Sequence, residues 1–215
     1  MRTDDLIRIL TEDHAARPRP APLERGFVIA LAGGAVVAAG LFAAALGPRP
    51  DFLAALTSSW RFVFKFVVTL ALAAAAAPLV LRASRPTGGA GRGAMGLAAA
   101  PILLAAAVAV ELYTIPQSDW PARAIGSNAL ACVISVTALS MAPLAATLYA
   151  LRRGAPCSPG FSGALAGLLS GALAAALYGA HCTDDSPLFV AIWYSLGISI
   201  VTLLGALIGA RALRW

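Results

Sequence analysis

Two cysteines, a histidine and three carboxylates stand out in a chain that is otherwise mostly Ala, Leu, Val and Gly. The segment LYGAHCTDDSPLFVAIWY, residues 177–194, gathers His181, Cys182, Asp184 and Asp185 between two apolar runs. A cationic imidazole makes a neighbouring thiol more reactive, and two adjacent aspartates oppose that effect. Cys132 lies about one turn inside one apolar run, and Cys182 lies just past the end of the next. Thiols at matched depth on neighbouring helices can approach the Cα separation of about 5.5–6 Å that a disulfide needs. The residues alone leave several chemistries open. These are a static disulfide, Cys132 as an ordinary buried small residue, a redox-reactive pair, and a soft-cation site made of Cys132, His181 and Cys182. That last spacing is not a zinc-motif spacing. Cys157 sits beside arginines in another loop and reads as an incidental thiol. Glu111 is ionisable within an apolar run near its end. It is either a functional group or the partner of Arg123 or Lys65. Asp184-Asp185-Ser186-Pro187 also reads as a helix start, with Asp as N-cap and Pro in the first turn.

The elements that position these residues follow from composition. The chain has 215 residues, is 60% hydrophobic and 12% charged, and has a mean hydropathy of +0.81. A soluble domain carries about 25% charged residues. The apolar runs are continuous and lack period-two alternation, which fits membrane-crossing helices and excludes a membrane β-barrel. A bilayer core about 30 Å thick needs roughly 20 helical residues. Six such spans are expected, near 27–46, 60–81, 94–114, 128–150, 161–180 and 188–210. Breakers such as GPRPD, RPTGGAGRG, IPQSDWP and RRGAPCSPG separate them. The fold class is therefore all-α, a compact polytopic bundle of residues 27–215 behind an N-terminal tail of residues 1–26. Gly163, Gly167 and Gly171 stand four apart, as do Gly205 and Gly209, and such faces let helices approach closely. They leave a homodimer open as well.

Charge gives an orientation. Twelve arginines fall in the tail, loops two and four and the C-terminus, against four basic residues (Arg49, Arg61, Lys65 and Arg123) on the other side. The positive-inside rule places both termini in the cytoplasm and loops one, three and five outside. Trp60, Tyr113, Trp120, Tyr178 and Trp193 fall near that outer boundary, as interfacial aromatics do. The cluster around Cys182 is then a water-exposed outer corner. The net charge of +6 is spent on topology, and no basic motif points to nucleic acid. The tail mixes five arginines with five acids, unlike a signal peptide, and is expected to be retained. Thr3 can cap a short helix whose first turn holds Asp4 and Asp5, with Leu6, Ile9 and Leu10 following at helical spacing. That is the form of a peptide that docks into a partner's groove.

The strings ELYTIPQSDW, GSNALACV, ALRRGAPCSPG, HCTDDSPLFVAIWYSLGI and RALRW together resemble the NrsF-type proteins. These negative regulators of sigma F are six-span bacterial anti-sigma factors. The resemblance covers essentially the whole chain and is densest from Glu111 onward. It implies an inner-membrane protein that holds an extracytoplasmic-function sigma factor inactive. It implies two periplasm-facing cysteines, matching Cys132 and Cys182, that respond to oxidants or heavy metals. His181, Asp184, Asp185 and Glu111 would support them. The sigma factor would bind cytoplasmic segments, with Asp4, Asp5, Leu6, Ile9 and Leu10 of the tail as the expected contact. No catalytic residue and no cofactor are expected. The alternative is a small transporter or metal-efflux protein, which would want more ionisable groups near mid-membrane than Glu111 alone. A quinone-linked disulfide enzyme would want a second thiol pair.

Overall fold

The computed structural model describes residues 2–5, 7–8, 11, 23–85 and 94–214. Among the described residues there are helices and no strands. The elements are α1 Leu23–Ala45, a short α2 Phe52–Ser58, α3 Trp60–Ala83, α4 Ala94–Thr114, a short α5 Trp120–Ile125, α6 Ala129–Leu151, α7 Pro159–Gly179 and α8 Pro187–Ala212. Six of them, α1, α3, α4, α6, α7 and α8, are long and apolar enough to cross a membrane. In the tail, residues 3–5 are helical and Asp4 is exposed. Leu6, Ile9 and Leu10 of the expected docking helix lie outside the described residues.

Helix α7 is the most buried span, and α8, α3 and α6 pack around it. The glycines explain the closest of these contacts. A Cβ on Gly163 would run into the Gly205 carbonyl and stand 2.8 Å from the Gly209 Cα. A Cβ on Gly167 would meet the backbone of Val201 and Thr202. Two backbones therefore touch along this seam, which dispersion and close packing hold in lipid, where burial of apolar groups gives no drive. The α7 and α8 glycine faces are packed against each other within one chain. Gly34 of α1 meets α6 in the same way, its Cβ position lying 2.6 Å from the Pro143 Cα.

The loops sort to two ends. At one end Ala155 donates its N–H to the Ser84 carbonyl (3.0 Å), Arg85 pairs with Glu24 (2.5 Å) and Arg152 donates to the Ala212 carbonyl (3.2 Å). Loops two and four thus meet the ends of α1 and α8. At the other end the Arg49 N–H donates to the Ala180 carbonyl (2.9 Å) and its side chain reaches Asp185 (2.9 Å). Loops one, three and five converge there. Tyr178, expected among the interfacial aromatics, is 1% exposed, because it lies one residue before the end of α7 on the side that packs inward. Trp60 and Tyr113 are exposed on the outside of the bundle.

Helix α8 is not regular. Val190–Tyr194 form a π-helical turn, which commonly marks a functional site. Within this turn the Trp193 indole N–H donates to the Ala124 carbonyl at 2.9 Å.

Candidate functional site

The end formed by loops one, three and five holds both expected thiols. The chain leaves α7 in a tight turn in which the His181 and Cys182 N–H groups donate back to the Tyr178 carbonyl (2.9 and 3.0 Å). That turn tucks Cys182 under the loop instead of lifting it into water. Cys132 and Cys182 are both fully buried, unlinked, and members of one apolar cluster with Val136, Tyr178, Phe189 and Tyr194. The water-exposed corner expected from the polar sequence is thus a lid over a buried thiol site. Burial raises the Cys182 thiol above its ordinary value, and the nearby Lys65 ammonium works against that rise.

Each carboxylate in the lid serves a different helix. Asp185 accepts from Lys65 of α3 (2.6 Å) and from Arg49 of loop one (2.9 Å). Lys65 also donates to the Cys182 carbonyl at 2.7 Å, so an ammonium 1% exposed is fixed between a thiol's backbone and an acid. Arg49 is in turn held by Asp51 (2.6 Å), whose carboxyl is lowered to about 2 by that hydrogen bond. Asp184 accepts from the N–H groups of Ser127 (3.1 Å) and Asn128 (2.9 Å) and from the Asn128 amide (2.8 Å). It caps α6 across space, since Asn128 makes no side-chain cap bond itself.

The expected role of Asp184 and Asp185 as caps of the last helix is corrected by these contacts. That cap is Ser186, whose hydroxyl accepts from the Leu188 N–H (3.2 Å), and Glu111 of α4 shares the task. Glu111 is fully buried, accepts from Ser186 (2.6 Å) and from the Leu188 N–H (3.2 Å), and lies 3.3 Å from Arg61 and 3.4 Å from Arg123. Lys65, the other expected partner of Glu111, pairs with Asp185 instead. Arg49, Arg61 and Ser186 carry much of this network and were not singled out from sequence. Arg49 and Arg61 were visible only as the few basic residues on the scarcer side.

His181 does not join the thiols. Its Nδ1 sits 2.9 Å from the Gly47 carbonyl and must carry the proton there, because a carbonyl only accepts. Among the described residues no three His, Cys, Asp or Glu side chains converge as a metal site, so Cys132, His181 and Cys182 do not assemble as the expected triad. The ring is drawn to loop one while both sulfurs face the core. Cys157 is exposed at the opposite end.

The arrangement ties the segment around Cys182 to three other helices. Cys182 is joined through its carbonyl to α3, through Asp184 two residues on to α6, and through Ser186 to α4. Helix α3 then runs to the far end, where Ala83 accepts from Ser162 (2.9 Å) and Ser84 meets loop four.

Comparison with known proteins bears on what this coupling serves. The family described as negative regulator of sigma F, NrsF, matches residues 10–215. The "Anti-sigma-F factor NrsF" of Caulobacter vibrioides (strain NA1000 / CB15N) is 38% identical over 218 residues, covering 100% of both chains. The "Probable anti-sigma-F factor NrsF" of Azospira oryzae (strain ATCC BAA-33 / DSM 13638 / PS) is 34% identical over 220 residues, again covering 100% of both. No solved structure matches.

Proposed function

The chain belongs to the NrsF family of negative regulators of sigma F, and we propose that it holds an extracytoplasmic-function sigma factor at the bacterial inner membrane until its buried thiols react. An anti-sigma factor is a binding protein, not an enzyme, and its partner is a sigma factor. In this reading both termini and loops two and four are cytoplasmic, supported by the twelve-to-four distribution of basic residues. The sigma factor contacts the cytoplasmic face, with Asp4, Asp5, Leu6, Ile9 and Leu10 of the tail as the docking segment. Cys132 and Cys182 face the periplasmic end and respond to an oxidant or a thiol-binding metal.

The observation that carries the reading is the link from Cys182 to α3. A fully buried sulfur, with its thiol 3.8 Å from the Asp184 carbonyl, cannot gain a bond or a bulky adduct without moving its neighbours. Its own carbonyl is tied to Lys65, so the displacement reaches α3 directly. The far end of α3 meets loop four and, through Arg85–Glu24, the helix that follows the tail. A disulfide contributes about 2–4 kcal/mol, and nearly complete switching of a two-state bundle takes about 5.5 kcal/mol. Modification alone therefore shifts the balance partway.

The test is a pull-down of the co-expressed sigma factor from detergent-solubilised membranes by the tagged chain, with the tail present or with residues 1–20 deleted. Retention by the full chain and loss on deletion supports the reading and its docking segment. Retention by both places the contact on loops two and four. No retention by the full chain overturns the anti-sigma role.

A further inference from the structure

The thiols are closed on the side of the polar lid and thinly walled on the side of the bilayer. Lys65, Arg49, Asp184 and Asp185 cross the loop end, and neither sulfur reaches the surface there. On the flank, a cavity of about 280 Å³ lies between α3, α4, α7 and α8, lined by Leu72, Pro101, Leu104, Tyr194 and Ile198 among others. No charged side chain lines it. Pro101 and Ser199 at its rim are exposed, so it opens sideways between α4 and α8, where lipid stands. Leu72, Leu104, Val190, Tyr194 and Ile198 belong both to this lining and to the cluster around Cys132 and Cys182.

Tyr194 is the shared wall. It is 1% exposed, it ends the π-helical turn, and its hydroxyl lies beside the Cys182 sulfur with no nitrogen or oxygen partner among the described residues. A buried phenol whose neighbour is a weakly accepting sulfur is under-satisfied, and a carbonyl oxygen arriving in the cavity would offer it a stronger acceptor. A largely apolar chamber of this size, with the Tyr194, Thr69, Ser195 and Ser199 hydroxyls in its wall and two thiols behind it, is suited to a small neutral molecule.

We propose that the cavity admits, from the bilayer, a neutral organic electrophile with a carbonyl-activated carbon–carbon double bond, and presents it to the buried thiols. Tyr194 donates to the carbonyl. The sulfur forms a bond to the β-carbon, the π bond breaks, and the thiol proton ends on the α-carbon, so no further reactant is needed. The proposal deepens the thiol-gated reading, on which its biological consequence rests. Charged reagents in water meet the lid; lipid-dissolved ones bypass it.

The experiment uses the full chain in lipid nanodiscs and two maleimides, N-cyclohexylmaleimide and a trimethylammonium-bearing maleimide. Peptide mass spectrometry follows Cys132 and Cys182, with the exposed Cys157 as reference. The neutral-to-charged rate ratio at Cys182 or Cys132 should exceed that at Cys157 by about tenfold or more, since a fixed charge is excluded from an apolar chamber. Tyr194→Phe should slow the neutral reagent about fivefold, the worth of one hydrogen bond. Leu104→Trp, or Leu97→Trp should that variant not assemble, should slow it by filling the chamber and leave Cys157 unchanged. Equal ratios at all three cysteines, indifference to both filling variants, or no labelling of Cys132 and Cys182 would each overturn the proposal. Labelling reads access alone and the sigma-factor pull-down reads binding alone, so the two fail separately.

Discussion

Replacing Asp185 by asparagine should destabilise the bundle far more than replacing its partner Lys65 by methionine. Lys65 is 1% exposed, and its ammonium has two acceptors, Asp185 and the Cys182 carbonyl. Asp185→Asn leaves that ammonium buried with no compensating charge and with Arg49 still nearby. Breaking a buried pair from one side costs about 3–5 kcal/mol, and the partial exposure of Asp185 argues for about 3. Lys65→Met removes the buried cation, fills the same space with an apolar chain, and leaves Asp185 held by Arg49 at 2.9 Å. Its cost is the lost hydrogen bond to Cys182, about 1 kcal/mol. The double variant should cost about 1–2 kcal/mol, a coupling of about 2 kcal/mol between the sites. Reversible unfolding in mixed micelles of rising dodecyl sulfate fraction, followed by tryptophan fluorescence, measures all three. A Lys65→Met cost equal to or above that of Asp185→Asn, or additive costs, would refute the buried-pair account of the lid.

Other consequences are simpler to read. Asp184→Ala should lower stability by about 1–2 kcal/mol through the uncapped α6, measured in the same titration. Gly205→Ala should cost more than 2 kcal/mol because its Cβ meets the backbone of Gly163 and Gly167. Gly33→Ala, with nothing within 4 Å, should be neutral or stabilising by up to about 1 kcal/mol. The Arg49–Asp51 contact holds Asp51 at about 2 against an ordinary 3.8. A lowered carboxyl stabilises above the ordinary value and loses that effect as pH falls through the lowered one. Any contribution should therefore be present above pH 3.8 and disappear toward pH 2, and Asp51→Asn should flatten the acid limb of the stability profile in that window. Because burial raises Cys182, its alkylation by the neutral reagent should still be rising with pH after that of an ordinary thiol has levelled off.

The helices were legible because lipid imposes a simple rule. A span must carry about 20 apolar residues and satisfy its own backbone, so the six runs declare themselves. The glycine seam was legible for a similar reason: spacing by four on one face has little other use in a membrane helix. The lid was not. Asp184 caps a helix whose first residues lie more than fifty positions earlier, and Lys65 reaches Cys182 across 117. Nothing local in DDSP distinguishes a cap for its own helix from a cap for another. The burial of Cys182 was hidden for the same reason. Its sequence neighbours are polar, and only the backward turn onto Tyr178 and the side chains of Arg49 and Lys65 close it from water. The tail is the converse case: its pattern suggests docking, and half of the residues that carry the pattern lie outside the described structure.

The most direct measurement is sigma-factor retention by the tagged full-length chain before and after treatment of membranes with a thiol oxidant. The wild type is compared with the Cys132→Ser, Cys182→Ser double variant. Thiol gating predicts that the wild type holds the sigma factor and that oxidation changes the amount held, while the double variant holds an amount that oxidation does not alter. An equal response in both proteins, or no response in the wild type, would contradict it.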